Sequence, residues 1–276
     1  MLLARTEAGQ LEVDTRHEFE TLVALAGTGV PAPEVLWLDE TGDILGMPGF
    51  IARRAPGKAG IVDLLKPDST VTASLVEQLT GIAATLHGLD VQRLNLPAAM
   101  RQDVQDAPAR ELAYWESRFL ANRMEPLPAA ASVFGWLRRN LPPVDRVSLV
   151  HGDLRLGNFL HENARITVLL DWEMAHLGDP LEDLAWLYRE LWSPEPFLPL
   201  QRCAELYAQA SGHPVEPRRL AYYRIFSEMK FVVISLSAAR VFMDGQTDNL
   251  RLAGRAGAVR DCVLRSLRWI DELEAA

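Results

Sequence analysis

Cysteine is scarce. The chain holds Cys203 and Cys262 alone among 276 residues, far apart and without metal-ligand spacing, so no disulfide framework is implied and the cytoplasm is the default compartment. Long apolar runs are missing too. The amino terminus, MLLARTEAGQ, has a short apolar start followed by acids, which resembles neither a signal peptide nor a membrane span. Positive charge is in deficit: a net charge of −9 argues against nucleic acid or an anionic membrane as a bulk partner, because both call for clustered Lys and Arg. Internal repeats and low-complexity tracts are absent, and oligomeric state is not legible.

What is present is ordinary for a globular protein, with 49% hydrophobic and 24% charged residues, enough to bury a substantial core as one large domain or two smaller ones. Residues 2–5 suit a strand. Thr15 opens a helix in which Thr15 and Glu18 have capping-box spacing and Phe19, Leu22, Val23 and Ala26 share a face, ending at Gly27-Thr28-Gly29. Extended runs follow at 34–38 and 50–54, separated by the turn-rich 39–43. From about residue 58 the pattern is helical, over 75–86, 109–124 and 129–140, and again over 200–211, 217–241 and 257–273. The outline is a small sheet-bearing lobe at 1–57, a hinge near 53–58, and a large helical lobe at 58–276.

Set into the helical part is the stretch at 147–187, VSLVHGDLRLGNFLHENARITVLLDWEMAHLGDPLEDLAWL, which predicts strand, loop, strand, loop, helix. Its acids abut apolar runs at 147–150 and 166–170. A carboxylate at the end of a buried strand calls for a cation or a proton-transfer role, because an ionised group taken out of water is otherwise strongly destabilising. Asp153 and Asn158 are five apart, and Asp171 ends the next apolar run. Kinase catalytic loops have this spacing, with an Asp that accepts the proton of the attacking hydroxyl and an Asn that holds Mg²⁺. Turn formation alone would also favour Asp and Asn, but three matches beside buried strands weigh against it.

HGDLRLGN followed by LLDWEMAHLGDPLEDLAW resembles the aminoglycoside phosphotransferase and choline kinase-like superfamily, and within it the phosphotransferases related to the kinase-like domain fused to some acyl-CoA dehydrogenases. The resemblance covers most of the chain, including Gly46-Met47-Pro48 through Pro56-Gly57. It implies an α+β, two-lobed, protein-kinase-like fold and an ATP- and Mg²⁺-dependent transfer of phosphate to a small-molecule hydroxyl. It further implies that Asp153 is the catalytic base and that Asn158 and Asp171 are metal ligands. Arg5 and Glu18 would form the base and acid pair near the nucleotide phosphates, with the backbone around Arg53, Arg54 and Ala55 against the adenine. His151, Asp179 and Asp183 would brace the loop.

Blander roles stand beside these. Asp179, Pro180 and Glu182 have the pattern of a helix start, Glu18 can cap as readily as it can pair, and His151 suits a hydrogen-bonded core position better than a metal site. Arg155, Arg224 and Lys230 are candidates to meet an anionic acceptor such as a hydroxy acid or its CoA thioester, although Arg224 and Lys230 read first as a solvated helix face.

The family's opening pair of strands with its phosphate loop, roughly 20–30 residues by ordinary strand lengths, has no counterpart before residue 2. Weak ATP binding is the corresponding expectation, with a silent kinase-like binding module as the alternative function. A metal-dependent hydrolase using His151, Asp153 and Asp171 is a third possibility, and it lacks the dense His ligation usual for such sites.

Overall fold

The computed structural model describes residues 2–5, by backbone alone, together with 15–101 and 104–275. These residues divide into two compact units, one of residues 2–5, 15–101, 104 and 146–216, the other of 105–145 and 217–275.

The first unit begins with β1 (Leu2–Arg5), α1 (Thr15–Leu25), β2 (Val35–Asp39) and β3 (Gly49–Ala52). The strands form an antiparallel sheet in the order β1-β3-β2, with Leu3 opposite Ile51 and Leu38 opposite Phe50. Helix α1 lies against this sheet with Leu22 and Leu25 buried and Phe19 edge-on to Phe50 at 6.0 Å. Val23, expected on that apolar face, is 46% exposed and Leu25 takes its place. The turn after β2 is organised by Asp39, whose carboxylate accepts the N–H groups of Gly42, Ile44 and Leu45 at 2.7–3.1 Å. These donors favour its charged form and hold its pKa below the ordinary carboxylate value.

Beyond the sheet come α2 (Ile61–Leu64), α3 (Thr72–His87), β4 (Ser148–Val150), β5 (Phe159–Glu162), β6 (Arg165–Leu169), β7 (His176–Gly178), α6 (Leu181–Leu187) and α7 (Leu200–Ser211). The two helices between α3 and β4 belong to the other unit. Sequence reasoning found β4 and β6 but missed their partners: β5 pairs with β6 as a hairpin and β7 pairs with β4, both antiparallel. The hairpin turns through Asn163 and Ala164 at φ 50° and 57°. Such two-residue turns usually carry glycine, and here there is none to mark it. The segment leading from β3 is tied to this hairpin by reciprocal backbone bonds between Lys58 and His161 at 3.1 Å. The tight approach needs Gly57, at φ 110°, where a Cβ would lie 2.9 Å from the His161 carbonyl oxygen.

The second unit is helical: α4 (Ala107–Asn122), α5 (Pro128–Arg139), α8 (Pro217–Met243), α9 (Leu250–Gly254) and α10 (Ala258–Ala275). Helix α8 is buried nearly all round from Leu220 to Ala239, as expected of a helix with apolar residues on every face. Phe119 packs on Phe134, Trp136 stacks on Tyr222, and the Trp136 indole N–H donates to Glu274 at 2.8 Å. Both cysteines are free thiols and buried, Cys203 in the first unit and Cys262 here. Among the described residues no helix is long and apolar enough to cross a membrane.

Candidate active site

The loop between β4 and β5 carries His151, Asp153, Arg155 and Asn158, and its backbone is fixed before any ligand is considered. Gly152 sits at φ 79°, and a Cβ there would lie 2.2 Å from the Met174 carbonyl oxygen, so only glycine lets the loop pass. Asp183, in the first turn of α6 and wholly buried, accepts the N–H of His151 at 2.8 Å and that of Gly152 at 2.9 Å. Its Oδ2 also meets His87 Nε2 at 3.0 Å, and His87 Nδ1 meets the Tyr207 hydroxyl at 2.9 Å. Burial pushes the Asp183 carboxyl up, but the His87 bond and charge and the His151 contacts outweigh it and hold the pKa below the ordinary value.

His151 links this loop to the next. Its Nε2 lies 3.0 Å from the Leu170 carbonyl oxygen, while its Nδ1 accepts the Asp153 N–H at 3.2 Å. The two contacts place the proton on Nε2 and leave the ring neutral, in keeping with a pKa lowered chiefly by burial. With both nitrogens engaged inside the protein, His151 is not a metal ligand, and the hydrolase alternative loses its histidine.

The Asp153 carboxylate is surrounded by donors. Oδ1 accepts the Trp186 indole N–H at 2.6 Å and Arg155 Nε at 3.0 Å; Oδ2 accepts Asn158 Nδ2 at 2.5 Å and Arg155 Nε at 3.2 Å. Asn158 Nδ2 also donates to the Asp153 carbonyl oxygen at 3.1 Å. Because its NH₂ is spent on Asp153, the amide oxygen is the side-chain atom left to meet a cation.

Asp171 follows β6 in the left-handed region, φ 61° and ψ 62°, a conformation that Asp tolerates better than most residues. The next residue, Trp172, is buried 4.4 Å from the His151 ring, and its backbone N–H donates to the Glu18 carboxylate. Helix α1 thereby brings Glu18 to Asp171 and Glu173. The protein around Glu18 and the charges of Glu173 and Asp171 push its pKa up to about 7. Glu173 rises to about 7 through crowding by protein and the charges of Asp171 and Asp153, even though part of its surface is open to solvent. Asp171, although exposed at the surface, is raised by the protein packed around it and by Asp153, with Arg155 pulling the other way. A gathering of acids that raise one another, beside a free amide oxygen, is a donor set suited to a hard cation such as Mg²⁺.

Of the remaining candidates, Asp179 serves the fold: its Oδ1 accepts the Leu181 N–H at 2.9 Å at the start of α6. Glu182, at the same helix start, meets His176 Nε2 at 3.1 Å. Arg53 is exposed and paired with Glu34 at 2.6 Å, with Arg54 and Ala55 following outside regular secondary structure after β3. The Arg5 side chain lies outside the described residues. In the second unit, Arg224 stands over the Trp269 ring at 4.3 Å. Lys230 corrects the solvated-face expectation: it is fully buried, 5.3 Å over Trp115. Sequence reasoning missed Glu173 and Trp186. The acid two residues after Asp171 was a usable clue to the first; Trp186 looks like any core tryptophan.

A family model described as the phosphotransferase enzyme family, APH, matches residues 1–223. Mouse acyl-CoA dehydrogenase family member 10 is 32% identical over 186 residues, which are 66% of this chain and 17% of the mouse protein. The chain therefore corresponds to a small part of that relative. A Ralstonia eutropha protein classed with the aminoglycoside phosphotransferases superposes with a TM-score of 0.78 at 21% identity, over 94% of this chain and 83% of that one. Aminoglycoside phosphotransferase APH(4)-Ia, in a ternary complex with AMP-PNP and hygromycin B, gives 0.59 at 20% identity, over 93% and 84% of the two chains. These likenesses establish the fold as α+β and protein-kinase-like, with a small sheet lobe and a larger helical lobe.

Proposed function

The chain belongs to the phosphotransferase enzyme family, and from that premise we propose that it transfers the γ-phosphate of ATP, with Mg²⁺, to a hydroxyl of a small molecule. The observation that carries this is the Asp153 carboxylate, held by Asn158 at 2.5 Å next to the acids at 171 and 173. Asp153 takes the proton of the acceptor hydroxyl. The acceptor oxygen bonds to the γ-phosphorus as the bond to the β-phosphate oxygen breaks, and ADP leaves. Bound at Asn158 and Asp171, Mg²⁺ would supply charge neutralisation on the phosphate oxygens. His151 and Asp183 keep the two loops in register, which is worth most when catalysis depends on positioning.

The nucleotide is assigned to the small lobe, residues 1–57, through Arg5, Glu18 and the backbone at Arg53, Arg54 and Ala55; the large lobe is 58–276. The family match supports a phosphotransferase and lends no support to a silent binding module.

For the acceptor, Arg155 offers a cation at the edge of the Asp153 carboxylate, which favours an anionic hydroxy compound. The mouse relative's name adds an acyl-CoA thioester to that class. The test is ADP formation from Mg-ATP against a panel of a hydroxy acid, a hydroxyacyl-CoA, choline and an aminoglycoside. Turnover with the anionic members that is abolished by Asp171→Ala supports the proposal; turnover confined to the cationic members overturns the acceptor assignment.

A further inference from the structure

Helix α6 reaches the catalytic loop twice. Asp183 holds the backbone of His151 and Gly152, and three residues on, on the same helix face, Trp186 donates its indole N–H to Asp153 Oδ1 at 2.6 Å. Trp186 is itself braced. Its carbonyl oxygen accepts the Trp192 indole N–H at 2.7 Å, and the two rings lie 5.1 Å apart. The other donor to Oδ1, Arg155, has its guanidinium 5.3 Å over the same Trp192 ring. Trp192 thus supports both groups that occupy Oδ1, one through its N–H and one through its face.

We propose that Trp186 is a positioning residue for Asp153. It fixes the carboxylate from the Oδ1 side, as Asn158 does from the Oδ2 side, and so sets how the base faces the acceptor hydroxyl. The inference rests on the assignment of Asp153 as base. A buried indole finds an acceptor wherever it can, so a purely structural Trp186 is the competing explanation, and the two differ in what they do to Asp153.

The first arm uses no activity. In the ¹⁵N-labelled protein the seven tryptophans give indole N–H resonances, of which Trp186 is identified by its loss in Trp186→Phe. Asp153→Asn weakens the acceptor and is expected to move the Trp186 resonance upfield by more than any other indole. An unmoved Trp186 resonance overturns the proposal. The second arm is kinetic: Trp186→Phe, which keeps a ring and loses the donor, lowers kcat roughly 10- to 100-fold with KM for Mg-ATP within about twofold. Unchanged kcat in the folded variant overturns it. Should Trp186→Phe fail to fold, the resonance is assigned through bonds in the wild-type protein and Trp192→Phe, which removes the N–H that braces Trp186, takes its place in the kinetic arm with the same expected and overturning results. Acceptor phosphorylation that survives Asp153→Asn removes the base assignment instead, and that result is separate from the indole shift.

Discussion

Asn158 gives its amide N–H to the Asp153 carboxylate at 2.5 Å, and this contact leaves the Asn158 amide oxygen as the side-chain atom that can meet a cation. Asn158→Ala removes both the donor and the amide oxygen. Transfer is expected to fall by roughly two orders of magnitude or more, with weaker Mg²⁺ dependence. Asn158→Asp keeps an oxygen for the cation but sets a carboxylate against Asp153, so the loss of kcat persists while the Mg²⁺ requirement survives. Initial rates across a Mg²⁺ titration separate the two variants.

The acids around Asp171 predict a pH-dependent stability in the absence of metal. Glu18 has a folded pKa of about 7 against an ordinary 4.5, so between those values the folded state keeps a proton that the unfolded chain has released. The stabilisation tied to that proton is full below pH 4.5 and lost as the pH rises through 7. Glu18→Gln is neutral at every pH and still offers an oxygen to the Trp172 N–H. The variant is expected to melt roughly 2–4 °C above wild type at pH 8 and to match it at pH 4. Differential scanning in EDTA reads this, and an equal difference at both pH values would speak against the crowded-acid description.

Asp183 carries a buried charge on which His87 and two loop N–H groups depend. Asp183→Ala leaves all three without their acceptor and is expected to cost about 3–5 kcal/mol, read as the urea midpoint. A loss below about 1 kcal/mol would mean that the loop is held by other contacts.

Gly152→Ala tests the loop passage itself. The added methyl would meet the Met174 carbonyl oxygen at 2.2 Å in a backbone at φ 79°, so the loop must move. Activity should disappear while unfolding remains cooperative, since the clash is local. Near-normal turnover by this variant would show that the loop tolerates displacement.

Much of this candidate site is legible in the residues because its parts are local in sequence. Asp153 and Asn158 sit in one loop, and Asp171 closes the next apolar run, so spacing alone groups them as candidates for phosphoryl transfer. Helices with clear apolar periodicity, such as α3 and α7, are legible for the same reason. Pairings made across space are not. The β5–β6 hairpin turns on Asn163-Ala164 without a glycine, and β7 is three residues long. Glu18 looks like a capping residue until α1 docks it beside Asp171. Lys230 reads as a surface base because a wholly buried lysine is rare, and Trp186 becomes special only when α6 lands against Asp153.

The most direct test is transfer of label from [γ-³²P]ATP, with Mg²⁺, into small molecules of a deproteinised metabolite extract supplemented with hydroxy acids and their CoA thioesters. The wild-type protein is expected to move label into an organic acceptor, and Asp153→Asn, equally folded, to lower that rate by roughly 10²-fold or more. Equal labelling by the two proteins, or label recovered from the wild type only as ATP and inorganic phosphate, would contradict Asp153-dependent phosphoryl transfer to a small molecule.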